Sequence, residues 1–280
     1  MKKTLAFAIL LLGLFASCKE NKVTEIFTSD EEEKVDSAEV FAGDTLHLFD
    51  DEMPPETVDE LFDDFFFNFA SDQKFQGQRI SFPLSCKDGS DEIKLSHQDW
   101  AHYNRFNTQD FYSVIYEREQ DMELQKDTAL SSVAVEWVYL REDYVEKFNF
   151  LRVNGKWVLS DIHKENFANL PNGEFLQFYS KFVADSTFQR NSLVQPLKLV
   201  LTAQSDEEEE QVEELTADQW FEMKAELPFA KDALVTIDYG QACISQNKKT
   251  LLMEGVSNGF YMKFRFDKSG DEWRLHEIEY

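Results

Sequence analysis

Apolar residues recur along this chain in two rhythms. After Val58 they return at Leu61, Phe62, Phe65 and Phe69, the spacing of one helical face. Thr57 and Glu60 have the form of a capping box, which predicts a helix starting there. Further on the rhythm shortens to two. In "SVAVEWVYL", Val133, Val135, Trp137 and Tyr139 fall on one side of a strand. "KFNFLRVNGKWVLSDI" reads as a hairpin turning at Asn154-Gly155, a pair suited to the positive φ of tight turns.

The same order is written twice. "FASDQKFQGQRISFPL" at 69–84 returns as "FVADSTFQRNSLVQPL" at 182–197, an offset of 113 residues. Phe62 aligns with Phe175, Phe66 with Tyr179, Asp72 with Asp185, Phe75 with Phe188 and Gln76 with Gln189. Past Pro83-Leu84 and Pro196-Leu197 the offset grows to 120, because the second copy inserts acidic residues around "SDEEEEQ". Trp100 then meets Trp220, and near the ends "KWVLSDI" meets "EWRLHEI", pairing Trp157 with Trp273. Each copy predicts a Phe-rich helix, a proline-marked strand and a second helix capped by Ser96 or Thr216, with Gln219 completing a capping box. Strands and a closing hairpin follow, the second one turning around Gly270. The boundaries are 58–168 and 172–280, with "NLPNG" at 169–173 as hinge.

Helices followed by an antiparallel meander define an α+β class, with helices packed on one face of a curved sheet. That order and the aromatic placement resemble the nuclear transport factor 2-like cone fold, within the cystatin-like superfold, over residues 58–280. A cystatin-like sheet wrapped round one helix is the alternative. Two such cones behind an acidic lipoprotein start resemble a family of uncharacterised envelope lipoproteins from the Bacteroidetes. The resemblance implies two tandem domains and, in some relatives, a small-molecule cavity worked by inward Asp, His and Tyr.

That acidic start changes the picture of where the chain acts. Lys2 and Lys3 precede an apolar run, Leu5 to Phe15, too short to cross a bilayer. Ala16, Ser17 and then Cys18 complete a pattern that resembles a bacterial lipoprotein signal, with residues 1–17 removed and Cys18 lipidated. This predicts a cell-envelope protein anchored by its N-terminal lipid, at the outer membrane. Residues 18–57 read as an acidic tether, with 15 acidic against 3 basic residues from Lys19 to Glu60. The whole chain of 280 residues has a net charge of −26, which repels phosphate backbones and argues against nucleic acid as a partner.

Candidate chemistry is sparse. No nucleophile elbow, phosphate loop or paired-cysteine metal motif occurs, so no cofactor, metal or catalytic residue is assigned. His97 and His102 flank Trp100 five residues apart, a poor metal spacing on a helix. Glu207–Glu210 lacks the spaced ligands of a calcium loop. Tyr112 and Asp161 form the best acid/base pair if both point inward. Residues shared by both copies serve the scaffold, so a specialised site belongs where the copies differ. Tyr103, Tyr112, Trp137 and Tyr239 are such places, and with Asp161 they make the candidate ligand-binding set. The expected partner is a small ligand, a glycan or an envelope protein, in a non-catalytic binding role. An isomerase- or dehydratase-like enzyme is the alternative. Cys86 and Cys243 are expected as free, mostly buried thiols.

Overall fold

The first Phe-rich stripe forms helix α1, Phe62–Ser71, which buries Phe62, Phe65, Phe66 and Phe69. It starts later than the capping pattern predicts. Residues 57–60 instead make a turn, in which the Glu60 N–H donates to the Thr57 carbonyl at 2.9 Å. The cause is Asp59, whose carboxylate accepts from the Arg79 guanidinium at 2.7 and 2.8 Å and from the Trp157 N–H at 2.9 Å. That fork ties the helix entrance to a distant strand and competes successfully with an N-cap.

The computed structural model describes residues 57–101, 106, 109–203, 209–227, 233–245, 247–256 and 258–280. The signal, the tether up to residue 56, His102, Tyr103 and residues 204–208 lie outside them. After α1 come α2 (Gln73–Gln78), β1 (Ile80–Asp88), β2 (Asp91–Leu95), α3 (His97–Trp100) and β3 (Phe111–Tyr116). A 3₁₀ stretch, Glu119–Lys126, precedes β4 (Ser132–Tyr139), β5 (Tyr144–Val153) and β6 (Lys156–Asn166). The order then repeats as α4 (Gly173–Ala184), α5 (Ser186–Asn191), β7 (Leu193–Leu201), β8 (Gln211–Leu215) and α6 (Ala217–Met223). It closes with β9 (Ala233–Asp238), β10 (Lys248–Gly255), β11 (Tyr261–Ser269) and β12 (Glu272–Glu279).

The repeated phrase has a mechanical meaning. Asp72 caps α2, accepting from the N–H groups of Lys74 and Phe75 at 2.8 and 3.1 Å. Asp185 caps α5 through Thr187 and Phe188 at the same distances. Each aspartate breaks the chain direction between two helices while satisfying orphan donors. The predicted caps at Ser96 and Thr216 are present, both as capping boxes. The predicted turn at Asn154-Gly155 carries positive φ at both residues. The short edge strands β2 and β8, each of five residues, were not expected from the sequence.

All strands join one sheet, in the order β2-β1-β6-β5-β4-β9-β3-β10-β11-β12-β7-β8. It is mixed rather than purely antiparallel: β1 runs parallel to β6, β7 to β12, and β3 to β9. The central strands are exchanged. β9, from the second copy, pairs with β4 of the first, and β3, from the first, pairs with β10 of the second.

Alternate side chains of the central strands serve different cores. Val133, Val135 and Trp137 of β4 join the core under α1, whereas Val138 joins the core under α4. Val235 and Ile237 of β9 and Leu252 of β10 belong to the first core; Leu234, Leu251 and Met253 belong to the second. Because successive strand residues point to opposite faces, the two cores lie on opposite faces of the sheet. The two predicted segments, 58–168 and 172–280, therefore do not bury separate cores: each core takes residues from both copies. Trp157 and Trp273 do sit in equivalent, buried places, meeting Phe62 and Phe175 edge-on at 5.2 and 5.3 Å.

Candidate functional site

The exchange places residues of both copies around one cavity of about 510 Å³ beneath α1. The helix supplies Asp63, Asp64, Phe66 and Phe67. Tyr112 and Val114 come from β3, Ile237 from β9, and Tyr239 from just beyond it. Glu254, Gly255 and Val256, at the end of β10, close the far side. Phe67 remains 52% exposed, an aromatic ring left at the surface beside the pocket. Phe66 meets Tyr112 edge-on at 5.3 Å. A Cβ on Gly255 would lie 1.7 Å from the Asn258 side-chain oxygen, so any larger residue there would have to displace that side chain.

The polar end of the cavity is built across the copies. Tyr239, buried, donates its hydroxyl to Asp63 at 2.5 Å. Its backbone is held by Gln241, which accepts from the Tyr239 N–H at 2.8 Å and donates to the Ile115 carbonyl at 3.0 Å. Gln125 of the 3₁₀ stretch donates to Glu254 at 2.9 Å. Asp63 is exposed along the helix surface, but its carboxyl is crowded by packed atoms on the Tyr239 side. That crowding pushes its pKa up to about 6; the Tyr239 hydrogen bond opposes the rise, and the nearby charges of Glu254 and Asp64 add to it. Burial pushes the Tyr112 phenol up to about 12, and burial with Asp63 beside it holds Tyr239 well above the ordinary phenol range. A carboxyl that titrates near pH 6 against a neutral phenol can hold or release a proton at this spot.

Of the residues picked out in the sequence, Tyr112 and Tyr239 line this cavity. Tyr103 lies outside the described residues. Trp137 is not at the site; it is packed in the core against Phe106 and Phe148 at 4.9 and 5.1 Å. Asp161 is not there either. A register shift in β6 leaves Leu159 and Ile162 in the first core and turns Asp161 to the opposite face of the sheet. There it accepts from Asn149 at 2.7 Å and sits 2.9 Å from His163. The Tyr112–Asp161 pairing is therefore replaced by Tyr239–Asp63, with Tyr112 in the wall. Asp63 was missed because an acid beside another acid reads as solvated, and Glu254 because a lone acid at the end of an apolar strand reads as the strand's exposed terminus. The repeat held the signal: Asp63 aligns with Leu176.

The equivalent place beside α4 is filled, although two smaller cavities, of about 290 and 440 Å³, lie elsewhere along that helix. Ile237 pairs with Val135 and Ile115 with Leu251, so Ile115 and Ile237 occupy the same place in the two copies. Counting from these pairs puts Leu234 in the place of Tyr112 and Val138 in that of Glu254. Leu176, Leu234 and Val138 are all buried in the second core. Glu117 takes the place of Tyr239 and forms an ion pair with Lys249 at 2.6 Å, both side chains nearly inaccessible. The Glu117 carboxylate also accepts from the N–H groups of Ile244 and Ser245 at 2.8 and 2.6 Å. Burial works against its charge, yet Lys249 and these donors hold its pKa below the usual range. Lys249 further donates to Asn172 at 2.7 Å and lies 3.0 Å from the Cys243 sulfur. Cys86 and Cys243 are both free, as expected, but less buried than expected: Cys86 is half-buried and Cys243 exposed. Among the described residues no group of three metal-ligating side chains gathers.

A mixed sheet with helix pairs packed on it and a cavity between helix and sheet is the architecture of nuclear transport factor 2-like proteins. A crystal structure described as an NTF2-like protein from Bacteroides fragilis NCTC 9343 matches with a TM-score of 0.72 and 37% identity, over 81% of this chain and 98% of that one. The model of a domain family of unknown function, DUF4348, matches residues 43–280, and the chain belongs to that family. No curated protein matches.

Proposed function

We propose that the chain is a binding protein of the bacterial envelope, anchored through a lipid on Cys18, which holds a small ligand in the cavity under α1. One observation carries this reading. The cavity opens where the copies differ, while the same place in the other copy is packed with Leu176, Leu234 and Val138. Close packing is the default of an interior, so a space that is open and polar-ended at one position and packed with apolar side chains at its equivalent is a specialised feature. The charged start, the short apolar run and the small residues before Cys18 support the anchor. The test is a ligand screen by thermal shift on the purified chain and on Ser71→Trp. Ser71 is exposed and lines the pocket mouth, so the tryptophan blocks access without disturbing the core. A ligand that stabilises the parent and not the variant is expected. Ligands that stabilise both equally would place binding elsewhere. Mass spectrometry of the mature N-terminus tests the lipid; an unmodified terminus at another residue removes the anchor.

The contact between Tyr239 and Asp63 favours a second reading, acid/base catalysis of the isomerase or dehydratase kind. It expects Asp63→Asn to abolish turnover of a ligand found in the screen even at concentrations that saturate the variant.

A further inference from the structure

We infer that the ligand of this cavity is an organic cation: an ammonium joined to an apolar or aromatic body. The inference rests on the cavity being a binding site, and it adds the charge and shape of what enters.

This protein meets its enclosed carboxylates with cations of its own. In the place equivalent to Tyr239, Glu117 is enclosed, and the chain supplies an ammonium, Lys249, at 2.6 Å. Asp59 is likewise met by Arg79 at 2.7 Å. The cavity differs: the exposed Asp63 and Asp64 and the half-buried Glu254 line it, and the ion pairs formed among the described residues reach none of them. No Lys, Arg or His occurs among the described lining residues. Besides solvent, the described donors that meet them are neutral: Tyr239 gives its hydroxyl to Asp63 and Gln125 its amide to Glu254. An incoming ammonium supplies the missing charge and offers N–H donors to the acids. The rest of the wall fits the other part of such a ligand. Phe67 and the partly buried Tyr112 present aromatic surface, with Phe66 and Phe106 packed behind them; such surface attracts cations at ring faces and packs against apolar groups. An anionic ligand would meet three acids and no base among the described lining residues, and a fully apolar one would displace water from the acids without offering them a charge. The surrounding field, from a chain of net charge −26, draws cations toward the mouth.

The test uses the purified full chain and three soluble probes of one shape: 2-phenylethylamine, 2-phenylethanol and phenylacetate. Affinities are measured by calorimetry for the parent and for Asp63→Asn, Glu254→Gln and Ser71→Trp. The amine is expected to bind about 10-fold or more tightly than the alcohol, the size expected of a charge-assisted contact. Phenylacetate is expected to bind least. Glu254→Gln and Asp63→Asn should reduce the preference for the amine, and Ser71→Trp should abolish binding. If the alcohol or phenylacetate binds as well as the amine and Ser71→Trp blocks both, the cavity is a binding site but the cation inference is overturned. If all three probes bind the parent and Ser71→Trp alike, or none binds at millimolar concentration, the pocket reading fails with it.

Discussion

Tyr239 of the second copy gives its hydroxyl to Asp63 on the first helix of the first copy, 2.5 Å away and 176 positions earlier in the chain. The contact exists only because β9 crosses to lie beside β4. Site and strand exchange are thus one feature, and variants at this contact report on both.

Asp63 should impose a pH dependence on stability. The folded carboxyl is raised to about 6 from 3.8, because the folded state disfavours its charge. Between those values the folded state binds more protons than the unfolded one, so this group's contribution is present below pH 3.8 and is lost as pH rises through about 6. The neighbours that set the shift are Asp64 on the helix, Glu254 on β10 and Tyr239. Asp63→Asn cannot charge. Relative to the parent, its stability should rise from pH 4 to pH 7 in urea unfolding, with a gain kept modest by solvent at this exposed residue. A constant difference across that range would contradict the shift.

Lys249 and Glu117 make a different prediction. Lys249→Met leaves a buried carboxylate without its counter-charge and should cost about 3–5 kcal/mol in chemical denaturation. Adding Glu117→Gln should recover part of that loss. The amide cannot be charged, yet it still offers an oxygen to the Ile244 and Ser245 N–H groups. Additive losses in the double variant would show that the pair is not coupled.

Trp157 and Trp273 are scaffold. Truncating either to Ala should cost about 3–5 kcal/mol, the range for large aromatic deletions in cores. Asp161→Asn, on a partly exposed strand face, should cost less than about 1 kcal/mol and leave ligand binding unchanged. Equal costs would overturn the division between scaffold and surface.

A fragment of residues 57–170 should not fold by itself. It lacks β9, and with it Val235, Ile237 and Tyr239 of its own core, and it exposes the long edge of β4. Circular dichroism and size exclusion should find it aggregated or loosely structured. Co-expression with residues 171–280 should rescue both parts as one complex. A monomeric fragment with sharp cooperative unfolding would contradict the exchange.

Much of this was readable from residue order. The faces of β4, the Asn154-Gly155 turn, the caps at Ser96 and Thr216 and the equivalence of Trp157 with Trp273 all follow from local periodicity or from the repeat. The crossing of β3 and β9 does not. A strand's sequence records that both of its faces are buried, as in "ALVTID", but not which copy's β4 or β10 it pairs with. Asp161 shows a related limit. A bulge flips every later side chain to the other face, and alternation cannot see it. The cavity was half legible. Comparing the copies picked out Tyr112 and Tyr239, and the same comparison applied at Asp63 against Leu176 would have found the acid.

The exchanged strands also bear on how such a molecule can change over generations. In an assembly of two identical chains, every substitution appears twice, and a cavity opened on one side weakens both. Joined in one chain and interlocked, the copies cannot drift apart, yet each position can vary alone. One side can stay filled and carry the stability of the whole while the other hollows out and experiments. The packed side, with Leu176, Leu234 and Val138, is what gives the hollow side its licence to vary.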